Sequence, residues 1–376
     1  MANTNSMRVL FACGGSAGHI NPALATAGAL RLVAAKPETL FVGTGRELEK
    51  KLVSAAGYAL RSIPMNGLKR KLTPSGIRHN LKAAGLLMLA ARRAGAVIDE
   101  FRPDIVVGTG GYICYPVLRA AAKRGIPCVL HESNAVPGLT TKLAAKYCAR
   151  IYAAFPDFGK EFGYAEKVRV CPTPIMPGFA SVTREKARRT LGFSDSERVV
   201  VSYFGSQGAG RMNEVVLDIV RRNAEERAFR HIHAFGGGEA RLAEYKSRLP
   251  ELPDYIDLRS YITDMPVVMA AADLVICRAG SSTLSELTAL GAASVLIPSP
   301  YVPNDHQTKN ALALEKSGAA VLLREKDATA DALLKLTQSL LGDAERLAAI
   351  GKAARASGSA DSAERFALEL MSLTGK

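Results

Sequence analysis

The 376-residue chain has no tryptophan, and its aromatic share is only 6%. Single-stranded nucleic acids are gripped by aromatic side chains interleaved with basic ones. No such interleaving occurs here, so nucleic acid is not an expected partner. The six cysteines, Cys13, Cys114, Cys128, Cys148, Cys171 and Cys277, are scattered and form no CxxC pair. Most lie in apolar runs and read as small core residues of a protein in a reducing cytoplasm. No Cys/His cluster has metal-ligand spacing, so no structural zinc is expected, and the sequence demands no metal or cofactor. No apolar run reaches the roughly 20 residues needed to cross a bilayer. The first residues, Met1-Ala2-Asn3-Thr4-Asn5-Ser6, lack the charged and apolar regions of a signal peptide. Acidic residues are outnumbered, 35 against 49 Lys+Arg, for a net charge of +14. The balance favours polyanionic partners, and with nucleic acid set aside these are a membrane surface and phosphorylated substrates.

What the chain does have is alternation. Apolar runs of strand length occur at Arg8–Cys13, Thr39–Val42, Ile105–Gly108, Cys128–His131, Arg150–Ala153, Val199–Phe204, Ile232–Phe235, Leu274–Cys277, Ser294–Ile297 and Ala320–Leu323. They are continuous rather than alternating, as in parallel strands covered on both faces. Ala/Leu-rich helical stretches separate them, so the class is α/β. The series starts twice, at Met7 and at Val199, with the Pro-rich stretch Cys171-Pro172-Thr173-Pro174-Ile175-Met176-Pro177-Gly178 between. We place the boundary near residue 175, giving domains at 7–175 and 176–361, with the helix from about Ser362 packed back on the first. Two Rossmann-like domains facing a cleft would put Gly-rich turns at strand C-terminal ends.

The most informative stretch is Val275 to Asn310. A strand ending at Cys277 runs into Arg278-Ala279-Gly280-Ser281-Ser282-Thr283-Leu284-Ser285-Glu286. Hydroxyls and amides of Ser281, Ser282 and Thr283 at a helix N-terminus make an anion site. Glu286, about one turn in, can accept two hydrogen bonds from a vicinal diol such as ribose. A nucleoside diphosphate needs that pairing; an ordinary capped helix is the alternative. Downstream, Gln307 and Asn310 share one helical face, with Gln307 in reach of a donor sugar and Asp305 as a cap.

Three further turns carry glycine. Gly14-Gly15-Ser16-Ala17-Gly18-His19 follows the first strand and precedes a helix expected from Pro22; its glycines let backbone approach an anion. His19 stands where a general base is useful, or where it merely binds phosphate or water. Gly108-Thr109-Gly110-Gly111-Tyr112 reads as a second anion turn or a tight strand-to-helix joint. Gly205-Ser206-Gln207-Gly208-Ala209 opens the second domain, with Ser206 as the phosphate ligand. His131-Glu132-Ser133-Asn134 ends another strand: Glu132 as base or orienter and Asn134 bridging substrates, or a helix-capping loop. Finally, Gly67–Ala96 sets Lys69, Arg70, Lys71, Arg78, Lys82, Arg92 and Arg93 around Leu81, Leu86, Leu87, Met88 and Leu89. That pattern suits an anionic membrane surface, or an ordinary crossover helix.

Taken together and in order, these motifs resemble the MurG family of UDP-N-acetylglucosamine transferases. The likeness runs from near the start to about residue 324. It adds Asn21-Pro22-Ala23, Gly138-Leu139-Thr140, Tyr261-Ile262-Thr263-Asp264-Met265 and His306-Gln307 with Asn310-Ala311. The resemblance implies a GT-B fold, with the UDP-GlcNAc donor in the C-terminal domain and the lipid acceptor, lipid I, on the N-terminal one. By position, Ile262 would meet the uracil through its backbone. Ser281 to Glu286 would hold diphosphate and ribose, Gln307 the sugar and Ser206 a phosphate. Ser16, Ala17, Gly18 and Asn134 would line the sugar and acceptor side. Gly14, Gly15 and residues 108–112 would face the acceptor, and His19 matches the family's proposed catalytic histidine. The reaction would invert the anomeric centre and yield lipid II at the cytoplasmic face of the membrane. The chain departs from the pattern in three places. Pro172-Thr173-Pro174-Ile175-Met176 lacks the linker arginine that would contact the donor phosphates, Phe204 replaces a glycine before Gly205, and Ala17 replaces another. Competing readings are a diacylglycerol glycosyltransferase, a UDP-sugar 2-epimerase, and a nucleotide-sugar-binding protein without turnover.

Overall fold

The computed structural model describes residues 6–65, 74–156, 158 and 162–375, with backbone alone for 74–85 and 303. These residues form two compact units, Met1–Pro177 with Asp361–Lys376, and Gly178–Ala360.

The first unit is built on seven strands: β1 (Arg8–Cys13), β2 (Glu38–Gly43), β3 (Ala59–Ser62), β4 (Ile105–Gly110), β5 (Cys128–Glu132), β6 (Arg150–Ala153) and β7 (Val168–Val170). All neighbours are parallel, in the order β3-β2-β1-β4-β5-β6-β7. The second unit repeats the plan with β8 (Val199–Tyr203), β9 (Arg230–Ala234), β10 (Ile256–Arg259), β11 (Leu274–Cys277), β12 (Ser294–Leu296) and β13 (Val321–Leu322), in the order β10-β9-β8-β11-β12-β13. In each sheet the winding reverses beside the first strand, between β1 and β4 and between β8 and β11. Loops leaving the C-terminal ends of such neighbours diverge to opposite faces and leave a ligand crevice.

The central strands are buried on both faces, which is why they read as unbroken apolar runs. Three strands did not read that way: β3, β7 and β10. Each is a sheet edge. Their short sequences Ala-Leu-Arg-Ser, Val-Arg-Val and Ile-Asp-Leu-Arg keep polar side chains in solvent, as edges do.

Two shifted element boundaries bear on the site. The first long helix spans Ala17–Val33 rather than starting at Pro22, so Gly18 and His19 lie in its first turn. Proline favours the first helical position, which drew the reading too far downstream. Likewise β4 continues through Gly110, so Thr109 and Gly110 join Gly108 in the strand and only Gly111 and Tyr112 belong to the turn.

The helix Ser362–Thr374 lies in the first unit's core, with Ala363, Phe366, Ala367 and Leu370 packed among Phe11, Ile20, Leu24 and Val129. The Phe366 ring meets His131 and Tyr152 edge-on at 5.3 and 4.9 Å, and the Tyr152 hydroxyl donates to Glu369 at 3.0 Å.

In the second unit a fully buried Arg188 ties its own helix to residues 194–197 and 271–273. It donates to the carbonyls of Ala271, Ser194, Asp195 and Glu197, and pairs with Asp273 at 2.7 Å. Asp273 also accepts from the Val199 amide at 2.7 Å, fixing the start of β8. Breaking a buried pair leaves an uncompensated charge and unfilled acceptors, so Arg188→Ala is expected to cost about 3–5 kcal/mol in urea denaturation. A loss under about 1 kcal/mol would show that solvent replaces the guanidinium.

Candidate functional site

In the first unit the glycine turns of β1 and β4 are joined backbone to backbone. The Gly14 amide donates to the Gly110 carbonyl at 3.2 Å, and the Thr109 hydroxyl donates to the His19 carbonyl at 2.7 Å. Two of the glycines are required sterically. A Cβ on Gly111 would lie 2.4 Å from the Gly14 carbonyl oxygen, and one on Gly110 would lie 2.4 Å from the His19 ring. Both residues hold positive φ, which costs glycine little. His19 is half-buried, and its Nδ1 lies 2.9 Å from the Gly14 carbonyl oxygen. A carbonyl only accepts, so Nδ1 carries a proton, and in the neutral ring Nε2 holds the lone pair. Gly15, Ser16 and Tyr112 are exposed at this end of the sheet.

The residues at the end of β5 separate into two roles. His131 faces inward: its Nε2 donates to the Cys171 carbonyl at 3.1 Å, its Nδ1 accepts from Ser133, and burial pulls it down to about 4. It is a neutral core histidine. Glu132 accepts from the Asn134 amide and side chain at 3.1 and 3.0 Å, from the Gly138 amide at 3.0 Å, and from the Thr141 hydroxyl at 2.6 Å. Four donors fill its two oxygens, which organises the loop and the start of the helix Leu139–Ala144. The buried position of His131 follows from packing against Phe366, more than 200 residues away, a contact that local sequence does not disclose.

In the second unit the loops after β8 and β11 lie at the switch point. After β11 the chain passes Gly280 in extended conformation into the helix Ser281–Leu290. The first amide to close the helical ladder is that of Leu284, onto Gly280. The N-terminus ahead of it carries the helix partial charge that favours an anion. The turn is held from behind. Asn310 donates its side-chain amide to the Ala279 carbonyl at 3.2 Å. Arg278, nearly buried, pairs with Glu325 at 2.6 Å, donates to the Ile297 carbonyl, and lies over the Phe204 ring. Phe204, just ahead of Gly205, is thus a platform for Arg278.

Glu286 sits one turn into this helix, beside Tyr203 and Cys277. It makes no hydrogen bond or ion pair with any described residue, and burial pushes its carboxyl up to about 8. A half-buried, unpartnered acid beside a helix N-terminus is a feature that a ligand would complete. Gln307 accepts from the Ser299 amide at 2.8 Å through its carbonyl oxygen, which leaves its NH2 group as the part that can face a ligand. Asp305 precedes that helix but accepts from the Thr308 hydroxyl, not from a helix amide. Asp305 and Thr308 also line a cavity of about 670 Å³ with Arg211, Tyr301, Arg324 and Lys326.

Ser206 and Gln207 are exposed on the β8 turn. That turn rests on a loop the motif reading passed over, Gly236-Gly237-Gly238 after β9. The Gly237 amide donates to the Ser206 carbonyl at 3.0 Å, and a Cβ on Gly236 would lie 2.3 Å from the Gly208 nitrogen. Three successive glycines at a strand end were the available signal. Ile262, next to exposed Tyr261, is buried just after β10.

Residues 9–153 match the glycosyltransferase family 28 N-terminal domain, and residues 199–366 match the glycosyltransferase family 28 C-terminal domain. A UDP-N-acetylglucosamine--N-acetylmuramyl-(pentapeptide) pyrophosphoryl-undecaprenol N-acetylglucosamine transferase of Thermoanaerobacter sp. (strain X514) is 38% identical over 98% of this chain and 100% of its own length. The transferase of the same name from Acetivibrio thermocellus is 40% identical over 96% of each chain. Among solved structures, Acinetobacter baumannii MurG superposes with a TM-score of 0.76 at 24% identity, covering 98% of this chain and 100% of that one. The S. aureus MnaA–UDP co-structure reaches 0.70 at 13%, covering 98% and 97%. At those identities the structures establish the fold, the GT-B class with two parallel-sheet Rossmann-like domains. The near full-length sequence identity establishes more: the chain belongs to glycosyltransferase family 28 and, within it, to the MurG family of N-acetylglucosamine transferases.

Proposed function

We propose that this chain transfers N-acetylglucosamine from UDP-GlcNAc to the C4 hydroxyl of the N-acetylmuramyl unit of lipid I, with inversion, giving lipid II for peptidoglycan synthesis. The observation that carries the reading is the unpartnered Glu286 one turn inside the helix that Ser281, Ser282 and Thr283 begin. A carboxylate for the ribose diol and amides for the diphosphate are what UDP requires.

Each group then has a task. Ser281, Ser282 and Thr283 hold the diphosphate, with Leu284 and Ser285 completing the turn and Ser206 meeting a phosphate. The Ile262 backbone meets the uracil and Gln307 the sugar. As the C1–O bond to UDP breaks, charge grows on the departing phosphate oxygen, where fixed dipoles act most strongly. The acceptor belongs to the first unit, at Gly14, Gly15 and residues 108–112, with Ser16, Ala17, Gly18 and Asn134 alongside. His19 takes the proton of the C4 hydroxyl on Nε2 while that oxygen bonds to C1. Glu132, its oxygens filled, shapes the loop that carries Asn134 instead of acting as the base.

A lipid acceptor calls for a membrane surface. No described helix is long and apolar enough to cross one. The helix Pro74–Phe101 turns Ala90, Ala94 and Ile98 to the core and leaves Met88, Leu89, Arg92 and Arg93 exposed. Apolar side chains beside arginines suit peripheral attachment to an anionic bilayer at its cytoplasmic face. Lys69, Arg70 and Lys71 of the same predicted segment lie outside the described residues.

The test is UDP release from UDP-GlcNAc with and without a soluble lipid I analogue. Release that depends on the analogue is expected. Release or isomerisation without acceptor would replace this reading with hydrolase or epimerase chemistry. Turnover with diacylglycerol instead would move the chain to the lipid glycosyltransferases, and donor binding with no release would make it a binding protein.

A further inference from the structure

The mechanism leaves one buried acid of the first unit unused. Glu49 is 1% exposed, and no basic side chain pairs with it. Its carboxylate instead accepts four hydrogen bonds. Oε1 receives the Gly15 amide at 2.9 Å and the Thr44 hydroxyl at 2.7 Å. Oε2 receives the Gly45 amide at 2.7 Å and the Arg46 amide at 3.3 Å. Burial opposes its ionisation, but these donors prevail and hold the carboxyl below the usual range. The last bond is the return half of a capping box, since Glu49 is the third residue of the helix Glu47–Ala55. The first is different in kind. It crosses from the β2 loop to the β1 turn, 34 residues away.

The backbone around the carboxylate is cut to fit it. A Cβ on Gly14 would lie 2.8 Å from Oε1, and one on Gly43 would lie 2.7 Å from Oε2. A cap alone needs neither approach. The Gly14–Gly15 peptide joins the amide that Glu49 holds to the carbonyl that holds His19, because the Gly14 C=O and the Gly15 N–H are its two ends. Fixing one end fixes the direction of the other.

We infer that Glu49 is a positioning residue for glycosyl transfer, clamping the Gly14–Gly15 peptide so that the Gly14 carbonyl locks His19 with Nδ1 protonated and Nε2 as the acceptor. The inference rests on the reading of His19 as the base. Glu49→Gln keeps shape and volume but sets an NH2 group against amide donors, which turns or releases the peptide.

A misplaced base costs turnover on the order of 10–100-fold without touching the donor site, so Glu49→Gln should lower kcat by about that factor and leave KM for UDP-GlcNAc within about twofold. Thr44→Val removes one of four donors and keeps the charge, so a loss of only about 3–10-fold is expected. The decisive comparison is made in a His19→Ala background. If Glu49 acts through His19, Glu49→Gln there changes kcat by less than about twofold, because groups acting as a unit are not additive.

An equal loss in both backgrounds would make Glu49 a structural residue and overturn the inference, as would a folded Glu49→Gln enzyme with wild-type kcat. Should Glu49→Gln not fold, Thr44→Val in the two backgrounds carries the same test. The two layers separate cleanly. A loss in His19→Ala with none in Glu49→Gln sinks only the role of Glu49. Wild-type turnover in His19→Ala removes the base and with it the route through which Glu49 would act.

Discussion

Replacing His19 with alanine is expected to lower kcat by about 10²–10⁴-fold, the range of a positioned general base, while UDP-GlcNAc affinity changes by no more than about threefold. The geometry sets both expectations. The imidazole is held through Nδ1 by the Gly14 carbonyl, so Nε2 is the nitrogen available for a hydroxyl proton. The groups proposed to bind the donor are on the other unit, around Glu286 and the helix Ser281–Leu290. Steady-state kinetics with a lipid I analogue, alongside calorimetry of donor binding, separates the two. Wild-type turnover would remove His19 from the mechanism. Lost donor binding with unchanged kcat would recast it as a binding residue.

Glu286→Ala should act in the opposite column, on donor affinity. Hydrogen bonds to a charged group contribute about 1.5–3 kcal/mol each, so losing two from the ribose diol weakens UDP-GlcNAc binding by about 100-fold or more. The unliganded carboxyl carries its own signature. Burial pushes it up to about 8, so much of the unliganded protein is protonated there at neutral pH. The diol donates to the ionised form, hence donor affinity should strengthen as pH rises from 6 to 8 and level off above. Glu286→Gln should abolish that slope. The linkage to folding has the reverse sign. A carboxyl raised from 4.5 in the unfolded chain to about 8 in the folded one stabilises fully below pH 4.5. That contribution is lost as pH climbs toward 8, at up to about 1.4 kcal/mol per pH unit between the two values. Glu286→Gln should therefore melt later than wild type at pH 8 and show little difference at pH 4.5. Unchanged affinity in Glu286→Ala would remove the acid from the donor site whatever the melts show.

The residues that were legible share a physical cause. Central parallel strands are apolar on both faces, so β1, β4, β5, β8 and β11 announced themselves, and the polar or glycine-rich residues at their ends marked the switch points. Edge strands β3, β7 and β10 contact the core on one side at most and carry arginine, serine or aspartate, so they lacked that signal. Glu132 read equally as a base or orienter and as part of a helix-capping loop, because a carboxylate at a strand end is chemically free on paper. The structure surrounds it with Asn134, Gly138 and Thr141. Glu49 carries no signal in the sequence. It reads as an ordinary acid in the first turn of an amphipathic helix, and only the parallel pairing of β1 with β2 brings Gly15 to it.

The sequence by itself determined the α/β class, the repeat of the series, and the order of loop motifs that defines the family. Those properties depend on hydrophobic periodicity and on residue types at fixed spacing, both of which are local. The tertiary structure alone decided which polar groups are engaged and which stand open. His131 became a core residue through Phe366, Arg278 is engaged by Glu325 and Phe204, and Glu286 was left without a partner. Hydrogen-bond saturation depends on neighbours brought together from distant parts of the chain. A linear pattern names the candidates, and only the packed neighbours determine which of them are free to act.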